Sequence, residues 1–255
     1  MKLRNTANKI LAIGAALLVW QLAASLVRLD ILLPSPLQVL REFFLLLPQP
    51  QFLSAVGFSL LRIAAGFFAA FLLGNLLALL AGRVPVFETL LWPYVVTIKT
   101  VPVASFVIIC FIWLRGGQLP TFISFLMVFP MIYTNTLEGI KSTDRQLLEL
   151  AQLYRVPYGR RLRYIYLPHL RPYILSASSV SLGMAWKSGI AAEVIAIVSG
   201  SLGERLYQSK IYLQIPQLLA WTVVIVLVSV LMEKLVMLLL KKGFALAERR
   251  RHHGG

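Results

Sequence analysis

The chain has 255 residues, 58% hydrophobic and 14% charged, with 25 Lys and Arg against 10 Asp and Glu for a formal net charge of +15. A mean hydropathy of +0.78, with apolar runs of bilayer-crossing length recurring from end to end, argues against a single soluble domain and defines an all-α integral membrane protein. The basic residues cluster in short segments between apolar runs instead of covering a water-facing surface, which sets nucleic acid aside as a partner, and the lone Cys110 leaves no intrachain disulfide or cysteine-rich metal site.

Six apolar segments predict six transmembrane helices, at 10–27, 56–81, 90–113, 119–137, 172–198 and 215–240. The first follows a basic segment and contains Ala23-Ala24-Ser25, so a cleaved signal peptide is the alternative; the apolar run continues to Val27, which favours a retained helix. The second is the longest without interruption, and the third is punctuated by Pro93 and Pro102. An even number of spans puts both termini on one side. With the N-terminus cytoplasmic, the inner segments hold Lys2, Arg4, Lys9, Arg83, Lys141, Arg145, Arg155, Arg160, Arg161, Arg163, Arg171, Lys241, Lys242 and Arg249 to Arg251; the outer ones hold Arg28, Arg41, Arg115, Arg205 and Lys210. This excess of positive charge inside predicts cytoplasmic termini and a cytoplasmic loop over 141–171.

That loop has internal structure. Thr143 with Gln146 three residues later has the form of a capping box, and Leu147, Leu150, Ala151 and Tyr154 recur at helical spacing, opposite Asp144, Arg145, Gln152 and Arg155. Pro157 disfavours helical geometry at Val156, so one short helix is expected to end near Arg155 and a second to begin near Pro157; Pro168 and Pro172 mark the return to the membrane. From the residues alone, the loop is either a docking element or an amphipathic connector lying on anionic lipid headgroups.

Charges within the spans form a second group. Lys187 and Glu193 lie in the fifth span about 600° of helix rotation apart, so they do not face each other. Lys187 either attracts an acidic or phosphorylated substrate along a translocation path or pairs with a carboxylate elsewhere; Trp186 is a candidate aromatic of the same path or a packing residue. Glu193 is expected near the outer end, partly hydrated. Arg62 is expected to snorkel to the headgroups, and Lys99 to satisfy a carbonyl freed by Pro102. Trp20, Trp92, Trp113 and Trp221 read as interfacial belt residues, while His169, His252 and His253 lack further ligands at metal-binding spacing. Ser199 to Glu204 predicts a tight outer turn, followed by a short amphipathic helix carrying Arg205, Tyr207, Lys210 and Tyr212.

Residues 149–168, ELAQLYRVPYGRRLRYIYLP, resemble the EAA loop of permease subunits of binding-protein-dependent ABC importers, in which Glu-Ala-Ala is followed after three residues by Gly and after nine more by Ile-x-Leu-Pro. Glu149, Ala151, Ile165, Leu167 and Pro168 match; Leu150 replaces the second residue and Arg155 the glycine. Leu33-Pro34-Ser35-Pro36, Ser59-Leu60-Leu61-Arg62, Gly66, Gly74, Lys99-Thr100-Val101-Pro102, Phe129-Pro130 and Asn135-Thr136 are similar to the nitrate, sulfonate and taurine branch. The resemblance implies a type I ABC importer permease fold, one transmembrane permease domain over 1–255, in a bacterial cytoplasmic (inner) membrane. It implies a homodimer bathed in lipid, with two cytoplasmic ATPase subunits and an extracytoplasmic substrate-binding protein. ATP and Mg are then expected on the ATPase, since no G-x-x-x-x-G-K-[ST] loop occurs here, and no cofactor, metal or catalytic residue is expected on this chain. Glu149 is expected to make a polar ATPase contact, with Leu150, Ala151 and Tyr154 as the packed face. The alternatives are a secondary transporter, for which no inverted repeat is visible, and a membrane scaffold.

Overall fold

Proline opens several of the helices, at first-turn positions where no amide hydrogen is needed. The computed structural model describes residues 2–27, 29–114 and 116–252, and its elements are helical: α1 Lys2–Val27, α2 Pro36–Leu46, α3 Pro50–Arg83, α4 Pro85–Thr100, α5 Val103–Phe111, α6 Gln118–Lys141, α7 Arg145–Leu153, α8 Tyr158–Arg161, a π turn Leu162–Tyr166, α9 Leu167–Ile195, α10 Leu202–Ile211 and α11 Ile215–His252. Arg28, Arg115 and His253 lie outside the described residues. Ser35 caps α2 by accepting from the Gln38 amide while the Gln38 side chain accepts from the Ser35 amide, a complete capping box.

By length and composition, α3, α6 and α11 over Ile215–Leu246 are each sufficient to cross a membrane. The expected third span is not one straight helix. Between α4 and α5 the chain bends by 104°, because Pro102 has no amide hydrogen and holds Val101 extended, at φ −76° and ψ 132°. Serines, Lys187 and Glu193 dilute the hydropathy of α9, a 29-residue helix. Its start also differs from expectation: the helical path runs from Tyr158 through the π turn into α9, so Pro168 and Pro172 sit within it. The π turn accommodates Pro168, which cannot donate to a carbonyl one turn back; the Leu167 amide instead reaches five residues back to the Leu162 carbonyl.

The core is built by α3, α6 and α9. Gly66, Gly74 and Gly82 on α3 meet Ser124, Ile132 and Ile140 on α6; a Cβ at Gly66 would overlap the Thr121 carbonyl oxygen, and one at Gly74 would lie 3.1 Å from Ile132. Small residues let the two backbones approach, which in lipid replaces the hydrophobic drive for helix association. Because both series rise together, α3 and α6 are parallel, and α4 and α5 must carry the chain back between them. Gly139 meets Leu170 and Tyr173 while Gly189 meets Ser124, so α9 is antiparallel to α6. Trp186 donates to the Ile225 carbonyl at 3.0 Å and Ser179 to Glu233 at 2.7 Å, which makes α11 antiparallel to α9. Lys141 and Glu88, 2.6 Å apart, tie the end of α6 to the start of α4.

Candidate functional site

The 141–171 segment holds a capped helix, α7, and a short second one, α8, joined at one unusual residue. Asp144, not Thr143, caps α7: its side chain accepts from the Gln146 amide at 2.8 Å, while the buried Thr143 hydroxyl is bonded back to the Gly139 carbonyl at 3.3 Å. α7 ends at Leu153, and Arg155 takes a left-handed φ of 50°. The Val156 amide donates to the Ala151 carbonyl and the Arg155 amide to the Gln152 carbonyl, both at 2.9 Å, the paired bonds of a Schellman stop. Arg155 therefore adopts the conformation that the motif's glycine favours, at the position where that glycine is replaced, and Pro157 then opens α8 as its N-cap, as the sequence predicts. The Arg161 side chain reinforces the corner by donating to the Val156 carbonyl at 2.7 Å.

This geometry divides the expected contact residues. Ala151 turns inward and is buried, whereas Leu150 and Tyr154 are 52% and 77% exposed and Leu147 and Leu153 stand out beside them. Glu149 pairs with Arg145 within its own helix, at 3.0 Å, and both remain exposed. Ile165, Leu167 and Pro168 are half-buried in and after the π turn. Sequence reasoning missed what seats the loop: the Arg83 guanidinium lies 4.5 Å above the Tyr158 ring, joining the end of α3 to the start of α8. Burial pushes the Tyr166 phenol above its ordinary value, Tyr158 adds to the rise and Arg161 opposes it, so this ring beside Arg83 is neutral at physiological pH. Arg83 two residues before the helix-opening Pro85, with Tyr158 directly after Pro157, was the available signal.

The expected path residues do not share a surface. Trp186 is buried and bonded to α11, while Lys187 is exposed and belongs to neither the Lys141–Glu88 nor the Arg145–Glu149 ion pair. Glu193 is not hydrated: it is 0% exposed, and its Oε2 accepts from the Ser59 hydroxyl at 2.7 Å and the Gly203 amide at 3.2 Å. Ser59 in turn accepts from the Leu202 amide at 2.9 Å, so α3, α9 and the start of α10 meet at one carboxylate. Gly203 permits this, since a Cβ there would lie against Glu193 side-chain and backbone atoms. In the sequence Ser59 stood out only within the family-like Ser59-Leu60-Leu61-Arg62 stretch; the structure places it in the buried α3 series with Ala55, Ile63 and Gly66. Arg62 stacks over Phe58 at 3.2 Å and packs against Gly117. Lys99 reaches the Thr134 hydroxyl at 3.2 Å, while the carbonyls around it are bonded by Thr97 and Thr100.

The exposed, capped α7 lies in the chain between core helices α6 and α9, in a protein with several helices long and apolar enough to cross a membrane, the architecture of a multi-pass membrane protein. Residues 71–242 match the family described as binding-protein-dependent transport system inner membrane component. The chain belongs to that family, as an ABC importer permease of the nitrate, sulfonate and taurine type. A protein of Brucella melitensis biotype 1 named as a probable ABC transporter permease is 28% identical over 206 residues, covering 80% of this chain and 83% of its own. The taurine transport system permease protein TauC of Escherichia coli is 27% identical over 237 residues, 90% of this chain and 86% of its own. The nitrate import permease protein NrtB of Synechocystis is 26% identical over 194 residues, 72% and 70% respectively.

Proposed function

We propose that the chain forms one half of a homodimeric import pathway and that α7 is its coupling helix, seated on a cytoplasmic ATPase subunit that holds ATP and Mg. The observation that carries this reading is the combination at α7: a helix fixed at both ends by Asp144 and the Arg155 stop, with Leu147, Leu150 and Tyr154 facing outward. An apolar face held out from a rigid support fits a cleft on a partner, and a stiff connection from it through α8 into α9 passes ATPase motion to the core. Closure of two ATPase subunits then shifts the permease between inward-open and outward-open states through their differing stability. Both termini and the 141–171 loop are cytoplasmic in this scheme, and the α9–α10 turn faces an extracytoplasmic binding protein. The solute is a small compound like those named for the relatives, nitrate or taurine.

Cysteine at Leu150 or Tyr154 should cross-link to the ATPase subunit in the assembled transporter, and cysteine at Lys210 on α10 should not. Cross-linking from α10 in place of α7 would reverse the orientation and overturn the assignment.

A further inference from the structure

We propose that the groove between α9 and α11, at the end where α9 begins its apolar course, is a binding site for an anionic phospholipid. The groove has a volume of about 930 Å³. Four cationic side chains line it, Arg171, Lys234, Lys241 and Lys242, against one carboxylate, Glu233. That carboxylate accepts from the Ser179 hydroxyl at 2.7 Å, and none of the three lysines is in an ion pair among the described residues.

The register of the two helices places Arg171, Lys241 and Lys242 at a bilayer boundary, while Lys234 lies about 10 Å deeper beside Glu233. Arg171 directly precedes the apolar part of α9, and Lys241 and Lys242 directly follow the apolar run of α11 that ends at Leu240. Ser179 and Glu233 each lie about eight residues further along, about 12 Å deeper at 1.5 Å per residue, and their bond confirms that the two helices descend side by side. Between mouth and floor the wall carries the apolar Met237 and Leu238, with Lys234 beside the floor and Val230 about a turn deeper. Lys234, Leu238 and Lys241 fall at i, i+4 and i+7, so one face of α11 offers charge, alkyl surface and charge in sequence. A phosphate at the mouth with an acyl chain along the wall satisfies both halves of the groove. A free anion uses only the mouth, and an uncharged lipid leaves the cations unmatched. Basic pockets between transmembrane helices at a membrane face take anionic headgroups for this reason. No residue of α7 lines the groove, although Ser142, just before α7, meets the Tyr173 hydroxyl at the same end of the bundle.

The test is native mass spectrometry of the assembled transporter taken from membranes of phosphatidylethanolamine and phosphatidylglycerol. The wild-type complex should retain phosphatidylglycerol. Lys241→Gln and Lys242→Gln should each weaken retention about five-fold, and Lys210→Gln should not change it. Leu238→Trp, which fills the wall without altering charge, should also expel the lipid; ATPase copurification of every variant reports that the complex is folded. Equal retention in wild type and the double lysine variant would overturn the proposal. So would displacement by inorganic phosphate alone, or a disulfide between Leu238→Cys residues of two copies, which would show the groove covered by the second protomer.

Discussion

Ser59→Ala removes one hydroxyl and breaks two bonds at the junction of α3, α9 and α10. The Glu193 carboxylate loses its 2.7 Å donor, and the Leu202 amide loses its 2.9 Å acceptor in a site where both residues are fully buried. Interhelical hydrogen bonds in membranes are worth about 0.6 kcal/mol on average and about 1.7 kcal/mol at most. A buried amide left without a partner costs about 1–3 kcal/mol. The variant should therefore lose about 2–4 kcal/mol of stability, measured by denaturant unfolding of the purified chain in bilayer nanodiscs. Hydrogen exchange at the Leu202 amide should accelerate in parallel. Ser54→Ala, on the exposed side of the same helix, should stay within about 0.5 kcal/mol of wild type. If Ser59→Ala matched that control and the Leu202 amide stayed protected, the junction would not hold α10 as described.

The other predictions concern the packing seam and the coupling helix. Gly66→Ala should destabilise by about 1–3 kcal/mol or more, because the new methyl meets the Thr121 carbonyl, whereas Gly57→Ala on the same helix meets nothing within 4 Å and should be neutral or mildly stabilising by unfolding. Arg155→Gly should stabilise the loop by about 1 kcal/mol and keep transport, while Arg155→Pro, which cannot adopt φ 50° and lacks the amide that reaches Gln152, should uncouple ATP hydrolysis from uptake. Leu150→Asp should weaken ATPase copurification about ten-fold or more, since an apolar side chain of this size contributes about 1.5 kcal/mol or more when buried at an interface. Glu149→Lys replaces the Arg145 pair with a like-charge contact and should cost α7 about 0.5–1 kcal/mol, so a large loss of coupled transport reports a direct ATPase contact.

Apolar runs and proline positions made most helices legible, and the chain breaks between α7 and α8 within a residue or two of Arg155, where the EAA pattern has its glycine. The geometry at that break was not legible, because a sequence shows that Arg155 stands in place of glycine but not that α7 imposes a left-handed turn on it. Pro102 announced a disturbance in the third apolar run without giving its 104° size, which depends on what α5 packs against. Pro168 was read as a boundary because proline usually ends a helix; a π turn absorbed it instead. Glu193 shows the deeper limit. Position along α9 suggested hydration, and its burial arises from Ser59, 134 residues away in sequence, and from the close approach that Gly203 allows.

Uptake by reconstituted proteoliposomes tests the central claim most directly, with this chain, its ATPase and its binding protein assembled together and with each omitted in turn. Solute accumulation should require all three and stop when ATP hydrolysis is blocked. Accumulation by this chain alone, driven by an ion gradient, would contradict the account.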